Sequence, residues 1–285
     1  MSNQLPEVSQ NSIDHFTGLP EECLVDTVSL TTPADACRLA LVASSLRLIV
    51  DSDAVWERFL PSDYQQFVIN AMTQRGHNRD LLSNSSKKEL YQYMCDHPLL
   101  TNDGGMSTSL DKWTGNWCFM IAARKLRIPG ADNEQNWRWA PDSNSRFSKA
   151  IVLINTTRLD IHGKINTRLL SPGITYMTYL VYKSTFTILG FEDQSIRVSV
   201  GIIGEECIHG LVCLDPRKMV QLTNVSVPPR TRKDGWLEIE LAEYHNKEGE
   251  YRELGIGLKE VTRNKLLQCG LIIQGLEIRP KVLVM

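Results

Sequence analysis

The pattern of apolar residues changes its period once along this chain of 285 residues, and this change constrains the fold more than any other feature. Up to about residue 100, apolar residues recur at the spacing of helices. The turn sequence Asn102–Gly105 follows, and beyond it apolar and polar residues alternate as in half-buried strands. The sequence therefore predicts an α+β protein in which a helical part precedes an antiparallel β part.

Residues 19–62 are predicted to form three short helices, preceded by a polar tail at residues 1–18. Thr32 is a typical N-cap with Pro33 at the first helical position, and Asp53 opens the third helix. The second helix is expected to carry an uninterrupted apolar stripe: Leu39, Val42, Ala43, Leu46, Ile49 and Val50. Because domains below roughly 60 residues are marginal alone, we expect this segment to dock on a partner.

Residues 63–108 are interpreted as a helical connector, in which Ser86 and Glu89 have the spacing of a capping box and His97-Pro98 ends the helix. Residues 109–285 are predicted to form a β-sandwich or jelly roll, because many short alternating segments are separated by turns. The clearest alternation places four residues on one strand face: Ile196, Val198, Val200 and Ile202.

Composition narrows the class of protein. The formal net charge of -2 gives no general attraction to nucleic acid or to an anionic membrane, and no run of eighteen apolar residues occurs. The start of the chain lacks the features of a secretory signal, and the seven scattered cysteines suit a reducing compartment. We therefore expect a soluble protein of the cytoplasm or nucleus that binds neither nucleic acid nor membrane.

The sequence also lacks the motifs of common enzymes and cofactor sites, so we expect no catalysis, cofactor or metal. Cys207, His209 and Cys213 have no fourth ligand at zinc spacing and are interpreted as ordinary strand residues. Glu238 and Glu240 are expected on a solvated strand face, although a hydrolase built from two carboxylates in space stays open. The basic run 230–233 is interpreted as a charged hairpin loop.

Trp137 and Trp139 lie two residues apart, so on a strand they would share a face. Both are candidates for the core, or one of them stacks on a flat sugar face. Trp113 and Trp117 lie where the helical part meets the β part and are expected to pack across that boundary.

Several runs of the N-terminal helical segment match one known pattern: Leu19–Cys23, Thr32–Cys37, Val42–Ser44, Ser52–Trp56 and the extension Phe59–Tyr64. On these residues the segment resembles a plant F-box. The later part has its own set of matching runs: Ala122–Arg124 with Leu126, Trp137–Trp139, Leu159–Ile165, Tyr179–Lys183, Asp234–Leu241 and Gly275–Pro280. On these residues it is similar to a phloem protein two-like (Nictaba-related) lectin domain.

The resemblance implies a non-catalytic substrate receptor of a Skp–cullin–F-box ubiquitin ligase. The helical segment would bind the Skp-type adaptor, and the sandwich would select a target protein or glycoprotein. The adaptor-binding positions of the family fall on Leu19, Pro20, Leu24, Val28, Leu39, Val42 and Trp56. A free carbohydrate-binding lectin with a degenerate F-box is the alternative.

Relatives of the lectin-like domain bind N-acetylglucosamine oligomers or N-glycan cores through two tryptophans and an acidic residue. The resemblance places the second tryptophan on Trp137, with Trp139 beside it, and the acidic residue on Glu253, where Gly255 and Gly257 replace larger residues. Gly130 stands where the family has its first tryptophan, so half of the stacking surface is missing.

Overall fold

The computed structural model describes residues 18–75, 84–191, 195–216, 228–247, 251–260 and 267–281. Apart from Gly18, the predicted tail lies outside the described residues. The described helices are α1 (Glu21–Ser29), α2 (Pro33–Leu39), α3 (Ser44–Val50), α4 (Asp53–Phe59), α5 (Tyr64–Arg75) and α6 (Lys87–Asp96). None of them combines the length and the apolar character that a membrane crossing requires.

Segment 19–62 contains four short helices where the sequence predicted three. The second predicted helix ends at Leu39, and α3 begins at Ser44 after an extended Ala43 with φ -149° and ψ 149°. The pair Ser44-Ser45 accounts for the break, since serine side chains compete with helical hydrogen bonds and favour helix starts. The predicted N-cap is confirmed, because Thr32 Oγ1 accepts a hydrogen bond from the Asp35 amide at 3.1 Å.

The predicted connector holds α5 and α6 and then enters the β part earlier than expected. The capping box of Ser86 and Glu89 is confirmed, and α6 ends before His97 as predicted. Strands β1 (Leu99–Leu100) and β2 (Met106–Leu110) already pair with each other. Asn102–Gly105 therefore closes a hairpin, in which Asp103 Oδ1 accepts from the Gly105 amide at 2.8 Å.

Two antiparallel sheets form the β part. The larger sheet has the order β1-β2-β3-β13-β7-β11-β10, with β5 also on β13 and β4 on β5, and the smaller has the order β6-β12-β8-β9. The remaining strands are β3 (Trp117–Ala122), β4 (Trp137–Ala140), β5 (Ala150–Leu153), β6 (Asp160–Asn166), β7 (Thr175–Leu189), β8 (Ile196–Ile202), β9 (Ile208–Val212), β10 (Arg230–Thr231), β11 (Leu237–His245), β12 (Glu253–Glu260) and β13 (Cys269–Pro280). Successive strands cross between the sheets as in a jelly roll, which confirms the predicted sandwich.

The main core lies between the two sheets. Ile196, Val198 and Val200 are buried there, as their alternation predicts. A second, smaller cluster covers the opposite face of the larger sheet and contains Trp236 and Phe147. Both faces of the larger sheet are therefore protected from water over part of their area.

The helical part, α1 to α6, and the sandwich share one continuous core. The ring of Trp117 on β3 packs against Phe67 on α5 with centroids 4.6 Å apart. Tyr91 on α6 donates its hydroxyl to the carbonyl of Asp111 at 3.0 Å. Gly115 has φ +75°, which favours glycine. A Cβ there would lie 2.9 Å from the carbonyl oxygen of Phe59, because the backbone of the β part passes close to the end of α4.

Candidate docking and recognition surfaces

Five large apolar side chains of the helical segment are more than half exposed, and we call them the exposed apolar set: Leu19, Leu30, Leu41, Val42 and Leu48. Leu41 is 88% exposed, in the turn between α2 and α3, and Leu30 is 87% exposed. Scattered exposed leucines are ordinary, but five within thirty residues make this segment a candidate for contact with another protein.

The seven positions predicted to bind the adaptor separate into two groups. Leu24, Val28 and Trp56 are buried in the core of the helical segment, and Trp56 also donates its Nε1 hydrogen to the carbonyl of Val50 at 2.6 Å. These three side chains therefore hold the segment together. The other four reach the surface to differing degrees: Leu19, Pro20 and Val42 are exposed, and Leu39 is half-buried.

Sequence reasoning missed three members of the exposed apolar set, namely Leu30, Leu41 and Leu48. A continuous second helix would have turned Leu41 and Leu48 toward solvent, where single leucines need no explanation. The break at Ala43 makes these residues more than single exposed leucines, because it places Leu41 and Val42 together in one exposed turn. The Ser44-Ser45 pair was the available signal for this turn.

The predicted sugar-binding residues do not form one site. Trp137 on β4 is only 2% exposed, so its ring faces are covered by the core, while Trp139 on the same strand is half-buried. Glu253 begins β12 in the other sheet, where it is exposed and forms an ion pair with Lys164 at 2.8 Å. The core interpretation of Trp137 thus fits its burial, and a sugar would reach Trp139 more easily.

Gly130 has a backbone reason to be glycine. Its φ of +77° lies in the left-handed region, within a turn where the Ala131 amide donates to the carbonyl of Ile128 at 3.1 Å. A side chain at this φ costs roughly 1–2 kcal/mol. A tryptophan at this position, which the resemblance implies for the family, would therefore be strained in this chain.

A buried carboxylate that the sequence analysis did not single out, Glu277, is paired with arginines. Glu277 on β13 is buried and receives Arg146 at 2.7 Å, together with Arg232 and Arg279. Burial alone would raise the pKa of Glu277, but the three guanidinium groups outweigh it and hold the pKa at about 2. Such a carboxylate stays ionised at neutral pH and cannot exchange a proton with a substrate.

The expected solvated face around Glu238 is wrong. Its side chain is 13% exposed and pairs with Arg279 at 3.0 Å and with Arg232 at 3.1 Å. The run 230–233 is a loop only in its second half, because Arg230–Thr231 form β10 and pair with β11, and Arg232, only 12% exposed, lies against the sheet. Glu277 and Glu238 thus share Arg232 and Arg279 in one salt-bridge network on the outer face of the larger sheet.

No group of three or more His, Cys, Asp or Glu side chains is placed to hold a metal ion among the described residues. Cys213 is buried, whereas His209 is exposed, so the two side chains considered together in the sequence lie in different environments.

The family model of phloem protein 2 matches residues 116–280, more than half of the chain. F-box protein PP2-B10 of Arabidopsis thaliana is 38% identical over 270 residues, which cover 93% of this chain and 94% of that protein. F-box protein VBF of the same plant is 36% identical, with 92% and 99% covered. F-box protein SKIP3 is also 36% identical, with 92% and 87% covered.

Solved structures resemble the sandwich only weakly. TmCBM61 in complex with β-1,4-galactotriose is 11% identical and covers 56% of this chain and 91% of its own, with a TM-score of 0.30. So low a score supports no argument about ligands. The relatives that share nearly the whole chain decide its membership: it belongs to the plant F-box proteins that carry a phloem protein 2 domain.

Proposed function

We propose that this F-box protein is the substrate-recognition subunit of a Skp–cullin–F-box ubiquitin ligase. The helical segment binds the Skp-type adaptor, and the sandwich selects the target without catalysing a reaction. The exposed apolar set carries this proposal, because it lies within the segment that the F-box relatives share. Leu41, Val42 and Leu48 belong to neighbouring elements, since α2 and α3 contact each other.

The size of the exposed apolar set suits a stable protein contact. Burying one such side chain contributes roughly 1.5–3 kcal/mol, so the five of them contribute roughly 7.5–15 kcal/mol before the entropic cost of association. Leu24, Val28 and Trp56 support this contact from beneath, since they fix the helices that carry the exposed side chains.

Co-purification of the full chain with a plant Skp adaptor tests the proposal. Leu41→Glu places a charge in the contact and is expected to abolish co-purification, and Leu19→Glu to weaken it. The matched control is Leu267→Glu, a leucine that is 54% exposed on the sandwich. Failure of the wild-type chain to bind the adaptor, or unchanged binding by Leu41→Glu, would refute the proposal.

A free lectin with a degenerate F-box is the second candidate, and the half-buried Trp139 on β4 is the observation that favours it. This function predicts binding of an N-acetylglucosamine oligomer that depends on Trp139, without binding of the adaptor. A glycan array probed with wild-type protein and Trp139→Ala distinguishes the two functions.

We also propose that the protein works in the cytoplasm or nucleus. All seven cysteines are free thiols, two of them buried, which suits a reducing compartment. A fluorescent fusion expressed in plant cells tests this, and accumulation in the secretory pathway would contradict it.

A further inference from the structure

A groove of about 360 Å³ crosses strands β6, β12 and β8 on the outer face of the smaller sheet. Along β12, Leu254, Ile256 and Leu258 are buried in the core. The residues between them, Gly255 and Gly257, therefore belong to the outer face and form the floor of the groove.

The backbone conformation at position 255 does not require glycine. Its φ is not in the left-handed region, and in the middle of a strand a glycine costs roughly 0.5–1 kcal/mol relative to alanine. A Cβ there would lie 3.1 Å from Cγ1 of Ile203 and 3.6 Å from the carbonyl oxygen of Gly201. A larger side chain would occupy the groove, so glycine keeps this space open, as strand glycines do where another backbone approaches.

The walls of the groove are lined by basic side chains. Four basic side chains line it and no Asp or Glu does, although the whole chain has a net charge of -2: Lys125, Arg127, His162 and Lys164. The other three basic side chains each have an acidic partner that does not line the groove: Lys125 pairs with Asp103 at 2.7 Å, His162 with Asp160 at 2.6 Å and Lys164 with Glu253 at 2.8 Å.

Arg127 is different from the other three basic residues. Its side chain is exposed and forms no ion pair with any residue that the structure describes. Its backbone is fixed on both sides, because its amide donates to the carbonyl of His162 at 2.7 Å and its carbonyl accepts from the His162 amide at 3.0 Å. The backbone of Arg127 is thus fixed beside the groove, and its exposed guanidinium, which pairs with no acidic group among the described residues, can donate to a carboxylate or a phosphate.

The lining also determines the kind of ligand. The described residues around the groove include no Trp, Tyr or Phe, so it offers no aromatic platform for a sugar ring. Ile203 at the edge is 56% exposed and provides an apolar contact. A polypeptide meets all three features, since acidic side chains pair with Arg127, an apolar side chain packs on Ile203, and a main chain lies close over Gly255.

We propose that this groove binds an acidic peptide segment of the target protein. That the peptide belongs to a target protein rests on the proposed ligase function, whereas binding of an acidic peptide by the groove does not. The groove uses neither Trp137 nor Trp139, so it lies apart from the tryptophan positions that the family resemblance marks.

Fluorescence polarisation with the full-length protein tests this inference. The probe is a fluorescein-labelled peptide of alternating glutamate and serine that contains one leucine, with its serines phosphorylated in a second version. Arg127→Glu is expected to weaken binding about tenfold, and Gly255→Val to remove it by filling the groove. The matched control, Arg138→Glu, reverses an exposed charge on the larger sheet and is expected to change nothing.

Equal affinity of the wild type and Arg127→Glu would overturn the inference, as would an equal loss in Arg138→Glu, which would indicate attraction to net charge alone. Binding of an oligogalacturonate in place of both peptides would overturn the peptide class. Thermal melting and adaptor co-purification of Gly255→Val report on its fold separately. Because the peptide assay contains no adaptor, failure of the ligase proposal leaves its result unaffected.

Discussion

The indole Nε1 of Trp117 donates a hydrogen bond to Oδ1 of Asp63 over 3.0 Å, and this bond joins the sandwich to the helical segment. Trp117 is 3% exposed, whereas Asp63 is at the surface just before α5. The carboxylate therefore accepts from an N–H that would otherwise be buried at the junction without an acceptor.

Removal of this carboxylate should destabilise the whole protein. Asp63→Ala leaves the Trp117 N–H without its acceptor, so we expect the free energy of unfolding to fall by roughly 1–3 kcal/mol. Urea denaturation followed by tryptophan fluorescence measures the change. Asp132→Ala, at an exposed aspartate of the sandwich, is the control and should lie within about 0.5 kcal/mol of wild type. A full-sized effect at Asp132 would contradict the assignment.

Glu277 should make the stability depend on pH at the acidic end. Its pKa falls from the ordinary 4.5 to about 2 in the folded protein because three arginines outweigh the effect of burial. A lowered folded pKa stabilises the protein above pH 4.5, and this stability is lost as the pH falls from about 4.5 to about 2.

Glu277→Gln isolates this contribution. At pH 7 we expect the variant to be less stable by roughly 3 kcal/mol, since the arginines lose their buried counter-charge. The difference from wild type should shrink as the pH approaches 3. Urea denaturation across this pH range measures it, with Glu243→Gln as control because Glu243 is 43% exposed and paired with Lys281. A difference that does not change with pH would contradict the role of the Glu277 charge.

Trp137 and Trp139 should respond differently to truncation. Trp137→Ala removes a buried ring and is expected to cost roughly 3–5 kcal/mol of stability, while Trp139→Ala should cost much less because its side chain is half-buried. Thermal melting of both variants measures the difference. Loss of glycan binding in Trp137→Ala with an unchanged melting temperature would contradict the core position of this ring.

Local pattern predicted most of the elements but not the surfaces. Helical spacing identified Leu24 and Val28, which are buried, and strand alternation identified Val198 and Val200. Capping at Thr32 was also readable, because the donors and acceptors of a cap lie within one turn of helix. Each of these features depends on neighbours that are close in sequence.

Features that depend on distant parts of the chain were missed. Glu238 was expected in water because alternation describes one strand and cannot show that Arg232 folds over it. The groove was equally hidden, since Gly255 was noticed only as a departure from the family pattern. Its meaning required the register that places Gly255 beside Lys164 and Gly201.

The shared core at Trp117 and Phe67 has a mechanical consequence for a ligase built on this chain. In the proposed ligase, this contact between α5 and β3 would couple the position of a captured target to the position of the helical part. The lysines of the target that come within reach of the ubiquitin-charged enzyme would then depend on the orientation of the sandwich. The choice of lysine would thus follow from geometry as well as from the binding site.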